Sequence, residues 1–387
     1  MKILSADEQT VPLWSDTANA AISFENMTAS AVVLQVETAK GRFRGLGFSS
    51  YGRYGHGGLL RERFIPRLLA ADEADFMDGN TFSMERAWSI LMSDEKEGGH
   101  GERSGAVGVL EMALWDALAK SQDVPLWSLL CKIYGHTGDD GPAAGTCAIY
   151  ASGGHYRSGE NDVGDVAEEA RRSLSAGYGW FKLKIGGAPE DIDKARIESA
   201  IDAVGDAGLI AADANGMLGG EGNEARLQTL DHYGLRWIEE PVAPLDLADL
   251  AACADTLKTP VASGENIFSA ADTKNLLQFG SLRPGTDKLQ MDPPLSYGLV
   301  EYLRMINHAE GAGWSRRDFH PHAGHQLTLH AAAGLGLGSH ETASVEDGPF
   351  SGVDDGTQVA DGVAVLGDAP GLGIESKPDL YRLFEEM

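Results

Sequence analysis

Cysteine is scarce in this 387-residue chain: Cys131, Cys147 and Cys253 are odd in number, widely spaced and form no CxxC pair. No disulfide framework is expected from that pattern, and the three read as reduced thiols filling core space in a cytoplasmic protein. Long apolar runs are missing too. No stretch approaches the roughly 20 residues of a membrane span, and the opening MKILSADEQTVPL lacks the sustained apolar stretch of a signal peptide. Positive charge is short as well, with 31 Lys and Arg against 58 Asp and Glu and a formal net charge of −27. A surface of that sign repels nucleic acid and anionic membranes, so neither is expected as a partner. An anionic substrate would then need a local cluster of cations.

Against those absences, hydrophobic content of 43% is ordinary and suffices for a sizeable core. The first third reads as an α+β lobe. Residues 28–50 carry two strands joined by a turn at Lys40–Gly41. The stretch 51–64 is too glycine-dense for regular structure at its start. A helix is predicted over 104–120, with Val107, Leu110, Leu114 and Leu118 on one face and Ser104 as its N-cap.

From about residue 145 short apolar strands alternate with amphipathic helices. Candidate strands are 146–151, 180–185, 208–212, 235–239, 259–263, 286–291, 317–320 and 334–338. Eight strands alternating with helices imply parallel pairing and a (β/α) barrel. No GxGxxG follows the early strands, which argues against an open dinucleotide-binding sheet. The Gly- and Asp-rich tail after about 345 is expected to return to the first lobe. The reading is α/β: an α+β cap (1–130 plus 346–387) on a barrel (131–345).

The chemistry sits where the strands end. Asp213, Glu239 and Glu265 each terminate an apolar strand, 26 residues apart, one βα unit per step. That register sets them at one height around the C-terminal mouth of a barrel. Three acids converging there repel one another unless a cation joins them, and an all-oxygen set with room for substrate suits one Mg2+. The series continues with Asp292, His322 and Glu341, with His320 and His325 as alternatives to His322. Lys182 and Lys184, in FKLKIGG, alternate along their strand and so share a face. A carboxylate substrate on the metal would have an acidified α-proton. Lys184, its pKa depressed by Lys182 and the metal, is the expected base, and His322, held charged by Asp292, the expected acid. With a β-hydroxyl on the substrate the outcome is loss of water and a 2-keto acid; without one, the same pair racemises. A Schiff-base lyase and a non-catalytic binding barrel are the remaining alternatives.

These residues, in this order, resemble the enolase superfamily in its mandelate racemase and muconate lactonising branch, over essentially the whole chain. The resemblance implies a modified (β/α)7β barrel with a capping domain, and a homo-oligomer acting on a small hydroxy-acid or acid-sugar substrate. It implies that Glu341 hydrogen-bonds the enolate oxygens. Within the branch, GRYGHGGLLRERF, GGHGERS, KIGGAP, LSYGL and PHAGHQ are similar to the D-tartrate dehydratase group of hydro-lyases. That likeness carries over Asn19 and Lys96 as substrate contacts. Tyr51 stands where that group is expected to have asparagine, and His155 where it has tyrosine, so these two are read as setting specificity.

Overall fold

The structure is a computed structural model and describes residues 1–12, 18–49, 55–96, 98, 101–135, 144–156, 162–220, 224–343, 350 and 352–387. The N-terminal lobe starts with an antiparallel sheet of β1 (Lys2–Pro12), β2 (Thr28–Thr38) and β3 (Gly41–Phe48), in that order. A helical stretch follows, α1 (Gly57–Leu59) and α2 (Ile65–Ala70) flanking a π-helical turn at Leu60–Phe64. A small hairpin, β4 (Met77–Asp78) with β5 (Thr81–Phe82), precedes α3 (Met84–Leu91), α4 (Gly101–Gln122) and α5 (Leu126–Tyr134).

Helix α4 is longer than the sequence pattern suggests. Ser104 is inside it, fully buried, and is not its cap. The reason is position: α4 lies against β2 and β3 on one side and the barrel helices on another, so nearly every face is covered. Gly45 and Gly47 of β3 permit the approach, since a Cβ there would lie 2.1 Å from Ala113 O and 2.2 Å from Val109 O.

The second lobe is the barrel. Parallel strands β6 (Thr146–Gly153), β7 (Phe181–Lys184), β8 (Ile210–Asp213), β9 (Ile238–Glu239), β10 (Val261–Ser263) and β11 (Lys288–Leu289) pair in sequence order. Their crossover helices are α6 (Asp162–Ser175), α7 (Glu190–Val204), α8 (Glu224–Asp231), α9 (Leu247–Thr256) and α10 (Ala270–Phe279), with α11 (Leu299–Gly311) after β11. The seventh strand expected over 317–320 shrinks to one residue. Ser315 and Asp318 form a capping box that turns Arg316–Asp318 into a 3-10 helix, and Phe319 alone bridges Leu289.

The strand expected at 334–338 is not there. Residues Gln326–Leu335 form helix α12, closed by Gly336 at φ 71°, and the last barrel strand is β12 (His340–Ala343). An Ala- and Gly-rich apolar run satisfies a buried helix as well as a strand, and its burial on all sides removes the periodicity that separates them. Strand β12 pairs with β6, and Gly338 N donates to Phe319 O, so hydrogen bonds run around the whole ring of a (β/α)7β barrel.

The tail closes on both lobes. Strands β13 (Gln358–Ala360) and β14 (Val363–Val365) make a hairpin on the lower part of β6, and α13 (Pro378–Glu385) reaches β2. Arg44 donates to Phe384 O (2.6 Å), and the buried Asp116 of α4 accepts from Leu46 N (2.8 Å) and Leu372 N (2.7 Å). No helix among the described residues is long and apolar enough to cross a membrane. The cysteines are free, with Cys147 and Cys253 buried.

Candidate active site

The lumen is filled from below by Tyr150, Trp180, Ala211, Trp237 and Ala262, an aromatic floor whose two neighbouring alanines leave depth above them. On that floor stand the carboxylates. Oxygens of Asp213 (β8), Glu239 (β9) and Glu265 (after β10) lie within 4.8 Å of one another, all three residues buried. Three buried carboxylates at that spacing carry more negative charge than the site can hold alone, and they offer the hard oxygen donors a small divalent cation takes.

The two lysines reach into this cluster. Lys182 Nζ donates to Glu239 Oε1 (2.6 Å) and Glu341 Oε2 (3.0 Å) and lies 3.8 Å from Asp213 Oδ2. Lys184 Nζ donates to Asp213 Oδ2. Burial pulls both ammonium groups down, but the surrounding carboxylates override it and hold both above the usual lysine value. Of the two influences expected to lower Lys184, Lys182 and the metal, Lys182 does pull it down, and Asp213, hydrogen-bonded to it, opposes it more strongly. Burial and Asp213 push Glu239 up to about 8, whereas the lysines hold Asp213 and Glu341 low despite their burial.

His322 Nδ1 lies against Asp292 Oδ2, and Asp292 Oδ1 accepts from Leu295 N (2.8 Å). His320 and His325 have other employment. His320 Nδ1 bonds Ser339 Oγ (2.7 Å) within the aromatic floor. His325 accepts from Leu327 N as the N-cap of α12 and donates from Nε2 to Phe48 O (3.0 Å), and burial drops it to about 3.

The expected substrate contacts scatter more widely. Asn19 sits in a turn whose neighbour Ala18 bridges Tyr156, next to His155 at the end of β6. Asn19 Oδ1 accepts from Ala21 N and Ile22 N, so only its Nδ2 amide is left for another partner. His155 meets Phe24 of the same cap loop edge-to-face at 6.2 Å. Lys96 is exposed beyond α3, and Tyr51 lies outside the described residues.

Four supporting side chains escape a strand-end reading. Trp237 Nε1 donates to Glu239 Oε2 (3.0 Å) and Tyr150 Oη to Glu341 Oε2 (3.1 Å). Asn215 donates to Asp213 Oδ2 from its side-chain amide and to Oδ1 from its backbone N, and Asn266 Nδ2 donates to Glu240 and Glu265. The asparagines had a signal, since DAN and GEN each place one just beyond a carboxylate; the aromatic donors had none.

A capped (β/α)7β barrel with carboxylates on three successive strand ends defines a class, and the comparisons agree with it. The profile described as Mandelate racemase / muconate lactonizing enzyme, N-terminal domain matches residues 10–131, and that described as Enolase C-terminal domain-like matches 165–380. The chain belongs to the enolase superfamily, in its mandelate racemase and muconate lactonising branch. It is 26% identical to L-talarate/galactarate dehydratase of Salmonella typhimurium over 80% of this chain and 72% of that protein. It is also 26% identical to 3,6-anhydro-alpha-L-galactonate cycloisomerase of Streptomyces coelicolor, covering 88% and 90%. Among solved structures, an L-talarate dehydratase from Polaromonas sp. JS666 complexed with Mg and L-glucarate superposes with a TM-score of 0.75 at 25% identity, over 96% and 94% of the two chains.

Proposed function

We propose that this chain is a Mg2+-dependent dehydratase of hydroxylated carboxylic acids, a hydro-lyase that converts an acid sugar to a 2-keto acid. The observation that supports the reading is that Lys184 and His322, the groups proposed to move protons, come from well-separated strands around one carboxylate cluster. Lys184 is on the second strand of the eight-membered ring and the Asp292–His322 pair is on the sixth and seventh. The relatives named dehydratases support the same reaction class.

Asp213, Glu239 and Glu265 would hold the ion. When bound, it supplies positive charge against the substrate carboxylate and so acidifies the neighbouring C–H. With Asp213 serving as a ligand, burial is left to favour the neutral, basic form of Lys184. Lys184 Nζ takes the α-proton, and the C–H electron pair moves into a double bond as the β-C–O bond breaks. His322, held through Nδ1 by Asp292, delivers a proton from Nε2 to the departing hydroxyl, which leaves as water. The enol then tautomerises to the keto acid. Lys182 donates to the substrate carboxylate, and Glu341, which accepts from Lys182, holds that ammonium in place. Asn19, Tyr51, Lys96 and His155 are assigned to the rest of the substrate.

D-tartrate, giving oxaloacetate, is the first substrate to test, and galactarate-type diacids follow. Screening mono- and diacid sugars with Mg2+ for 2-keto acid is the decisive assay. α-Proton exchange in D2O with inversion and no keto acid would replace the dehydratase with a racemase or epimerase.

A further inference from the structure

Tyr156 has no part in the proton transfers, yet it joins three pieces of the site. Its backbone N donates to Ala18 O (2.9 Å) and its O accepts from Ala18 N (3.2 Å), seating the cap loop that carries Asn19. Its phenol Oη donates to Asp193 Oδ1 (2.8 Å) and accepts from Gly187 N (3.0 Å). Asp193 in turn accepts from Gly186 N (2.7 Å), so the amides of both Gly186 and Gly187 end on this one network. Gly187 has no room for a side chain, since a Cβ would lie 2.5 Å from Tyr156 Cε2. Arg196 packs its guanidinium 4.4 Å from the Tyr156 ring centre and donates to Lys184 O (3.1 Å) and to Gly154 O.

We propose that Tyr156 is a positioning residue that couples the seating of cap loop 18–24 to the placement of Lys184. The phenol fixes the turn that follows Lys184, and the same residue's backbone fixes the loop over it, so neither moves without the other. Phe24 against His155, and Ala20 near Gly186, extend the same contact. A substrate that draws the cap loop down onto Tyr156 thereby fixes the base in its working position. A substrate too short to reach the loop leaves the base less well placed. The role in turnover rests on the assignment of Lys184 above; the mechanical coupling does not.

Tyr156→Phe keeps the ring under Arg196 and removes the two phenol hydrogen bonds. Ala18→Pro removes the amide on the cap side and leaves Tyr156 intact. Amide hydrogen exchange on the full chain without substrate reads the coupling directly. Tyr156→Phe is expected to speed exchange in residues 18–24 as well as at Gly186–Gly187, and Ala18→Pro to speed it at Gly186–Gly187, with the melting temperature little changed. Faster exchange confined in each variant to its own side of Tyr156 would overturn the coupling. With substrate, each variant is expected to lose roughly tenfold in kcat with a smaller change in KM, the scale of a misplaced reacting group. If the wild-type chain dehydrates no acid, the proposed function fails while the exchange result still stands or falls alone.

Discussion

Lys184 and Asp213 are register partners on adjacent parallel strands, and their side chains close on each other over that pairing. The base candidate and a metal-ligand candidate are thus direct hydrogen-bonded neighbours, fixed by backbone pairing rather than by a loop. Removing Lys184 takes away the proposed proton acceptor but none of the three carboxylates. Lys184→Ala and His322→Asn are each expected to lower turnover by at least about a thousandfold, toward the upper range for a general acid or base. Calorimetric Mg2+ titration should show binding retained in both. Loss of the metal in either variant would mean that the roles are wrongly divided.

The ion site carries its own reporter. Trp237 touches Glu239 through its indole N–H, so a cation on Glu239 changes the field at that ring. Adding Mg2+ to EDTA-treated protein is expected to shift tryptophan emission, and Trp237→Phe to remove most of that shift despite six remaining tryptophans. The lost hydrogen bond should also weaken Mg2+ binding by about tenfold or more. A full emission change in the variant would place the ion elsewhere.

A pH effect on stability lies away from the site. Glu111 of α4 accepts from Leu299 N (2.7 Å), Val300 N (2.9 Å) and Trp115 Nε1 (2.9 Å), capping α11 across the junction of the lobes. Burial pushes its carboxyl up to about 7 from an ordinary 4.5. The folded protein therefore holds a proton that the unfolded chain releases, and this contribution is full below about 4.5 and lost as pH rises through about 7. Its span is about 3 kcal/mol. Urea unfolding at pH 5 and pH 8 should show stability falling with pH, and Glu111→Gln should flatten that fall. An equal slope in the variant would assign the effect to other groups.

Asp116 is the knot between the cap sheet and the tail. It accepts from Leu46 N and Leu372 N and pairs with Lys120 (2.6 Å), which reaches Glu375 at the same distance. Asp116→Ala leaves two buried amides and a largely buried ammonium without that partner. A loss of about 3–5 kcal/mol in urea unfolding is expected. A loss below about 1 kcal/mol would show that Glu375 compensates.

The part of the site that was legible in the sequence depends on the barrel's own regularity. Equal βα units set Asp213, Glu239 and Glu265 at equal spacing, so position in the chain reports height in the lumen. That regularity ends after β11, where a single bridging residue replaces a strand and a buried Ala/Gly helix precedes the last strand. The hold of Asp213 on Lys184 was not legible, because the neighbour Lys182 is visible along the chain whereas Asp213 is reached only across the sheet. Trp237 and Tyr150 were overlooked for the same reason, since aromatic residues in apolar strands look like core until their polar atoms find partners; Tyr156, in the loop after β6, has partners that lie far away along the chain.

The tail contacts also carry a consequence in time. Leu372, Glu375 and Phe384 supply bonds to β3 and α4, elements made more than 250 residues earlier. During synthesis from the N-terminus the cap sheet must therefore wait, with part of its apolar surface uncovered, while the whole barrel is translated. At synthesis rates of about 5–20 residues per second that wait is on the order of tens of seconds, a window in which chaperone binding or aggregation competes with completion.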